Sequence, residues 1–270
     1  MLFKSGYIPT DSNDKDYHLF TSDIQNHLMS IANTNTNTSE HILEEKTPIS
    51  DQSSLGSCVA NSSVDSLEIL LGIANKPIEQ LSRLFTYWNA RLYHKATDVD
   101  DGTYIKYAFA SLQIHGTCRE STWEYNTNKV FAQPPIKAYR EAYENKLTGF
   151  FRIEEDGNDR LEKIEAAIRA NHPVVFGTPV AKNFTTFFNV SNAAEVSWPI
   201  PDSSKSPIVG KHAMVIVGVR NNNGNTEFLI RNSWGTKFGF GGHTWFSADY
   251  IGWNGTEDIW VPTIAPDLEF

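Results

Sequence analysis

The stretch Gln52-Ser53-Ser54-Leu55-Gly56-Ser57-Cys58-Val59-Ala60 carries the chain from a polar approach into an apolar helix. From Cys58 onward Ala60, Val64, Leu67, Leu71 and Ala74 recur on one face, which predicts a helix over 58–74. Pro77 stops it. Cys58 therefore falls in the first turn, just after the turn-forming Gly56-Ser57. A sulfur nucleophile must be a thiolate, yet a free thiol has a pKa near ~8.5. The positive end of a helix dipole is one device that favours the anion. Taken alone, a cysteine at a helix start is more often a small buried residue. Its company changes the reading. Gln52, six residues upstream, offers a side-chain amide donor. Far downstream His212 opens the apolar run Ala213-Met214-Val215-Ile216-Val217-Gly218-Val219, and Asn232 closes the next run, Glu227 to Arg231. The turn Asn221-Asn222-Asn223-Gly224 makes those runs a hairpin, which can hold His212 and Asn232 side by side. A Cys, a His and an Asn far apart in sequence suit acyl transfer through a sulfur nucleophile.

Working outward, the first half reads as helical. Further helices are expected at about Ile78 to Tyr93, Tyr104 to His115 (ended by Gly116) and Ile136 to Asn145. The second half reads as strands at 149–153, 174–178, 212–219 and 227–231, with one helix capped by Asp159 and running to Ala170. Residues 181–211, with Pro199, Pro201 and Pro207, form a long irregular connection of the sort that is functional or mobile. Near the start a short helix from Thr21 to Ala32 precedes the polar run Asn33 to Ser39, which reads as a linker. This gives an arm or short pro-segment over 1–47 with its linker at 33–40, a helical lobe over 48–148, and a β-rich lobe over 149–270.

Composition bounds the function. The 270 residues carry a net charge of −9, with 40% hydrophobic and 20% charged residues, as in an ordinary globular protein. An acidic, dispersed surface argues against nucleic acid as a partner. No apolar run approaches the ~20 residues that cross a bilayer, so no membrane role is expected, and the first residues do not form a signal peptide. Two cysteines, Cys58 and Cys118, exclude a disulfide framework and a four-thiolate zinc site, and Cys118 reads as a buried free thiol. Asp98, Asp100 and Asp101 lack the calcium-loop pattern. No metal or other cofactor is expected.

Three blocks resemble the papain family of cysteine peptidases, in its bacterial branch: Gln52 to Cys58, Gly210-Lys211-His212-Ala213-Met214-Val215-Ile216-Val217-Gly218, and Arg231-Asn232-Ser233-Trp234-Gly235-Thr236. Weaker similarity runs through Asp101-Gly102-Thr103, Cys118-Arg119-Glu120, Trp123-Glu124-Tyr125 and His172-Pro173-Val174-Val175, and Gly6-Tyr7-Ile8-Pro9 with Asp16-Tyr17 looks like the N-terminal arm of bacterial members. The resemblance implies an α+β, papain-like two-lobe fold, with a helical left lobe, an antiparallel β-barrel-like right lobe and the cleft between them. It implies Cys58 as nucleophile, His212 as its acid and base, Asn232 as orienter of the imidazole and Gln52 as oxyanion donor. Trp234 shields the His212–Asn232 contact, and Gly102, Thr103, Lys211 and Ala213 line the substrate cleft. The implied activity is peptide hydrolysis through a thiolate–imidazolium pair and a thioester. A non-catalytic peptide-binding module and a thioester-forming transferase or deamidase are the alternatives. Peptide or protein substrates are the implied partners, with autoinhibition by the chain's own first residues, a monomeric state and a secreted or extracytoplasmic setting. Leu55, Val59 and Lys211 depart from the family pattern without removing a catalytic group.

Overall fold

A computed structural model describes residues 4–10 and 38–264. The helix expected at 21–32 and most of the polar run at 33–39 lie outside the described residues. Helix α1 (Cys58–Ile73) begins at the cysteine, as its periodicity predicts. It is buried nearly all round, however, instead of on a single stripe. The cause is its central position: it packs on helices α2 (Arg83–Tyr93) and α3 (Ile105–Ile114) and also on the long strand β5 (Ile208–Asn222). Several of its polar side chains are satisfied inside the core. Asn61 bonds to the Ser57 carbonyl, and Ser62 and Ser66 each bond back into the helix.

Helix α2 starts at Arg83, not near Ile78. The Leu81 N–H donates to Glu68 Oε1 at 2.6 Å, and the Ser82 hydroxyl accepts the Phe85 N–H at 3.1 Å, so an extended residue and a side-chain cap fix the start. Helix α4 (Ile136–Ala142) completes the helical lobe. Strand β2 (Gly149–Ile153) matches the expected segment. Helix α5 (Gly157–Arg169) begins two residues before Asp159, which lies in its first turn; the cap position belongs to Asp156.

The β lobe is one open eight-stranded sheet. Its path runs β2, β8 (Glu257–Thr263), β3 (Val174–Ala181), β5, β6 (Asn225–Arg231), β7 (His243–Ser247) and β4 (Ser197–Trp198), with β1 (Glu40–Ile42) added on β5. All the pairings are antiparallel except β4 with β7. The connection expected to be irregular over 181–211 holds a short 3-10 turn (Phe184–Thr186) and β4, and β5 starts within it, four residues before His212. The β5–β6 hairpin closes on Asn223 (φ 53) and Gly224 (φ 87), the left-handed pair that a tight two-residue turn needs. A short helix, α6 (Ala248–Gly252), precedes β8.

The two lobes are joined by buried charge. Arg231, the last residue of β6, reaches Asp65 of α1 at 3.3 Å, the Pro48 carbonyl at 2.7 Å, and Glu45. Arg83 of α2 holds Asp65 at 2.5 Å and Glu68 at 2.6 Å. Burial alone raises the Asp65 carboxyl's pKa, but Arg231 and Arg83 hold it below the usual value. Removing one member of such a network strands its partners without water. Arg231→Met is expected to cost about 3–5 kcal/mol of stability, read from the urea midpoint by circular dichroism; a loss within experimental error would show that the network does not join the lobes.

Candidate active site

Cys58 sits at the first position of α1, fully buried. The loop before it is fixed from several sides. Asp100 accepts the Gly56 N–H at 3.0 Å and the Tyr87 hydroxyl at 2.7 Å. The Tyr125 hydroxyl donates to the Gln52 carbonyl at 2.8 Å. Asp100 and Tyr125 carry no catalytic signature in sequence. Only their burial and bonding give them a part in holding the loop before Cys58.

His212 lies within β5, opposite Thr178, and Asn232 follows the end of β6. The two side chains meet: His212 Nε2 is 2.8 Å from Asn232 Oδ1. That oxygen also accepts the Ser233 N–H at 2.8 Å, so it is the amide's acceptor and Nε2 is the donor. The imidazole is thereby set with its proton on Nε2 and its lone pair on Nδ1. Trp234 stacks on the ring with centroids 4.6 Å apart. Its indole N–H donates to Gln52 Oε1 at 3.2 Å, where the Ser233 hydroxyl also donates at 2.9 Å. Gln52 is therefore oriented: its oxygen faces the β lobe, and its Nε2 faces the cleft. The next residue after His212 brings the second lobe to the sulfur, since the Ala213 N–H points at Cys58 Sγ.

The cleft is occupied by the chain's own residues 4–10. Gln52 Nε2 donates to the Lys4 carbonyl at 3.1 Å. The Ser5 hydroxyl accepts the Lys211 N–H at 2.7 Å and also donates to the Lys211 carbonyl. The Gly6 N–H is the second backbone donor to Cys58 Sγ. The Thr103 N–H reaches the Gly6 carbonyl at 3.0 Å, and the Ile8 N–H reaches the Thr103 carbonyl at 3.1 Å, a parallel pairing. Of the four expected cleft residues, Thr103 and Lys211 bond to the arm and Ala213 bonds to the sulfur. Gly102 approaches the arm so closely that a Cβ there would lie 2.1 Å from the Gly6 oxygen. A Cβ on Gly6 would in turn lie 1.9 Å from the Gly56 oxygen. Backbone meets backbone at these points, and only glycine permits it.

The family profile described as papain family cysteine protease matches residues 36–258, most of the chain. The chain belongs to the papain family of cysteine proteases, and is a hydrolase. It is 33% identical over 217 residues to an uncharacterized peptidase C1-like protein of Acanthamoeba polyphaga mimivirus, a match spanning 78% of this chain and 68% of that one. Its fold is similar to that of xylellain, a cysteine protease from Xylella fastidiosa, with a TM-score of 0.80, 24% identity, and coverage of 97% of this chain and 96% of that one. It is also similar to the ragweed pollen cysteine protease Amb a 11 in its proform, with a TM-score of 0.65, 20% identity, and coverage of 87% and 69%.

In this family the catalytic sulfur is expected to be an anion, but here the burial of the site decides its charge. Burial pushes the Cys58 thiol up to about 11, outweighing the N–H groups of Ala213 and Gly6. Burial likewise lowers His212 to about 4, and the bond to Asn232 recovers only part of that. Both groups are neutral at pH 7 while the arm lies over them. Cys118, buried without a disulfide, is pushed up to about 12 by burial and by Glu141. Iodoacetamide at pH 7 is therefore expected to label both sulfurs slowly in the full chain. Gly6→Ala, whose Cβ cannot fit against Gly56, is expected to speed labelling of Cys58 by roughly tenfold or more and leave Cys118 unchanged, as read by peptide mass mapping. Equal rates at Cys58 in the two proteins would rule out the arm as its cover.

Proposed function

We propose that this protease hydrolyses peptide bonds with Cys58 as nucleophile, His212 as acid and base, Asn232 as orienter, and Gln52 as oxyanion donor, and that residues 4–10 inhibit it by filling the cleft. The observation that carries the reading is the Lys4 carbonyl on Gln52 Nε2: a peptide carbonyl already rests on the donor that stabilisation of an oxyanion needs. With the arm lifted, water reaches the sulfur and the ring, and the desolvation that keeps both neutral falls away. The thiol proton then passes to His212 Nδ1, the lone pair left by the Nε2–H bond to Asn232. The start of α1 favours the resulting thiolate, and the stacked Trp234 keeps water from the His212–Asn232 bond.

The thiolate attacks a substrate carbonyl carbon, and the carbonyl oxygen gains charge against Gln52 Nε2. The C–N bond breaks as the imidazolium gives its proton to the leaving amine, leaving a thioester on Cys58. His212 then takes a proton from water as that water attacks the thioester, and the thiol returns when the acid product leaves. Trp234 and Ser233 hold the Gln52 side chain by its oxygen, and the Leu55 carbonyl takes one of its N–H groups at 2.8 Å, so the other stays aimed at the cleft. Removal of one oxyanion donor costs about 10²–10³ in turnover.

The arm extends the expectation of a short pro-segment over 1–47. It is tied to Thr103, Lys211, Gln52 and Asp258 at once, so a substrate must displace every one of these bonds. Two variants test both halves. On a mixed peptide substrate at pH 6–7, Cys58→Ala is expected to abolish hydrolysis while leaving the fold intact by circular dichroism. Gly6→Ala is expected to raise initial rates by tenfold or more over the unmodified full chain. Hydrolysis that survives Cys58→Ala would refute the nucleophile, and unchanged rates in Gly6→Ala would refute the inhibition.

A further inference from the structure

Tyr125, in the stretch Trp123-Glu124-Tyr125, takes no part in the chemistry above, yet its hydroxyl lies between the two residues that the proposed reaction brings together. Its ring packs on the apolar cluster of Leu55, Ala60, Leu84, Tyr87 and Val130. Its hydroxyl is 2.8 Å from the Gln52 carbonyl and 2.5 Å from the Oγ of Ser57, the residue just before Cys58. A carbonyl only accepts, so the phenol's proton lies on the bond to Gln52. The phenol oxygen must then accept the Ser57 hydroxyl, and Ser57 Oγ accepts the Asn61 side-chain N–H at 3.0 Å. Burial raises the pKa of the phenol, so its proton stays in place at neutral pH. The result is one directed chain, from Asn61 through Ser57 and Tyr125 to Gln52, running from the helix that carries the sulfur to the oxyanion donor.

Two features show this chain prevailing over local alternatives. Ser57 is the N-cap of α1, yet its side chain makes no capping bond; its hydroxyl goes to Tyr125 instead. Ser53, next to Gln52, adopts φ 53, a left-handed conformation that persists in a non-glycine residue only where its surroundings hold it. The holds on Gln52 differ in origin. Its backbone N–H and its side-chain oxygen are held by Ser233 and Trp234, beyond the end of β6. Its carbonyl is held by the Leu55 N–H at 3.2 Å, within the same turn, and by Tyr125. Among the described residues, Tyr125 is thus the group that ties Gln52 to the start of α1 from outside that turn.

We propose that Tyr125 is a positioning residue for peptide hydrolysis: its hydroxyl fixes Gln52 against Ser57, and so sets the oxyanion donor's distance from the sulfur of Cys58. The proposal rests on the reading of Cys58 and Gln52 given above. One substrate carbonyl must present its carbon to the sulfur and its oxygen to Gln52 Nε2 at the same moment, and a misplacement of about 1 Å at such a point can cost about 10² in rate. Phenylalanine at position 125 keeps the ring and its packing, but it unties the Gln52 carbonyl and leaves the Ser57 hydroxyl without its acceptor. The loss falls on the charge that grows in the transition state, not on substrate binding.

The test uses full-chain protein carrying Gly6→Ala, which is expected to displace the arm, and one fluorogenic peptide that this protein cuts. Tyr125→Phe is expected to lower kcat about tenfold and to move KM less than about twofold, within the roughly 10²–10³ that removal of the donor itself costs. In protein that also carries Gln52→Ala, Tyr125→Phe is expected to lower kcat by less than about twofold more, because the residue it positions is gone. Iodoacetamide alkylation of Cys58 forms no oxyanion, and its rate is expected to stay within about twofold in each variant. Ser57→Ala removes the donor to Tyr125; it is expected to lower kcat by about threefold or more and to lose that effect beside Gln52→Ala. An unchanged kcat in Tyr125→Phe, a loss that persists beside Gln52→Ala, or alkylation slowed in proportion to kcat would each overturn the proposal. A Gly6→Ala parent that cuts no peptide overturns the reading of the site as well, whereas an active parent indifferent to Tyr125→Phe overturns this proposal alone.

Discussion

The contact between Arg231 and Asp65 fixes the relation on which the site depends. Arg231 immediately precedes Asn232, and Asp65 lies two turns along the helix that begins at Cys58. The pair therefore ties the residue that orients the imidazole to the helix that carries the sulfur. Both partners are about 1% exposed, so solvent screens the attraction little. Desolvation makes such a pair expensive, and an apolar substitute of matching shape is often no less stable. What an apolar substitute lacks is direction. The guanidinium accepts only certain positions of the carboxylate, the Pro48 carbonyl and Glu45, and so sets one register of sheet on helix. Arg83 and Glu68 extend that registry into α2.

Above that frame, burial and charge oppose one another. The start of a helix and two backbone N–H groups favour a thiolate at Cys58, yet the net shift is upward. The reason is geometric. Those donors are few, while the arm and both lobes bury the sulfur completely. The same arm supplies one of the donors, through Gly6. On the proposed reading the covered state is inert for two reasons at once, an occupied cleft and an uncharged pair, and a single displacement would relieve both.

Most of this was legible in the sequence, and the rest failed for definable reasons. The helix at Cys58, the strand at 149–153 and the hairpin between His212 and Asn232 follow from periodicity and from turn residues, which act locally. The starts of α2 and α5 were misplaced by two to five residues: at α2 because Glu68 bonds the Leu81 N–H from another helix, which no local apolar pattern marks, and at α5 because Asp156, not Asp159, takes the cap position. Cys58, His212, Asn232 and Gln52 were singled out because each belongs to a recognisable block. Asp100, Tyr125 and Asp258 were not, since each acts by reaching a backbone or side chain 44 to 251 residues away. The pairing of Tyr7 with Asp258 across the whole chain has no sequence signal except the glycine at 177 that leaves it room.

A peptide that lies in a protease cleft must escape being cut, and the arm's geometry accounts for it. Cleavage needs the sulfur to face a carbonyl carbon while that carbonyl's oxygen faces the oxyanion donor. Here the oxygen on Gln52 belongs to Lys4, but the group that faces Cys58 Sγ is the N–H of Gly6, two residues on. Holding that N–H against the sulfur requires the arm to press its backbone between Gly56 and Gly102, which glycine at both position 6 and position 102 allows. On the proposed reading, occupation of the cleft therefore depends on the absence of a side chain at Gly6 and at Gly102.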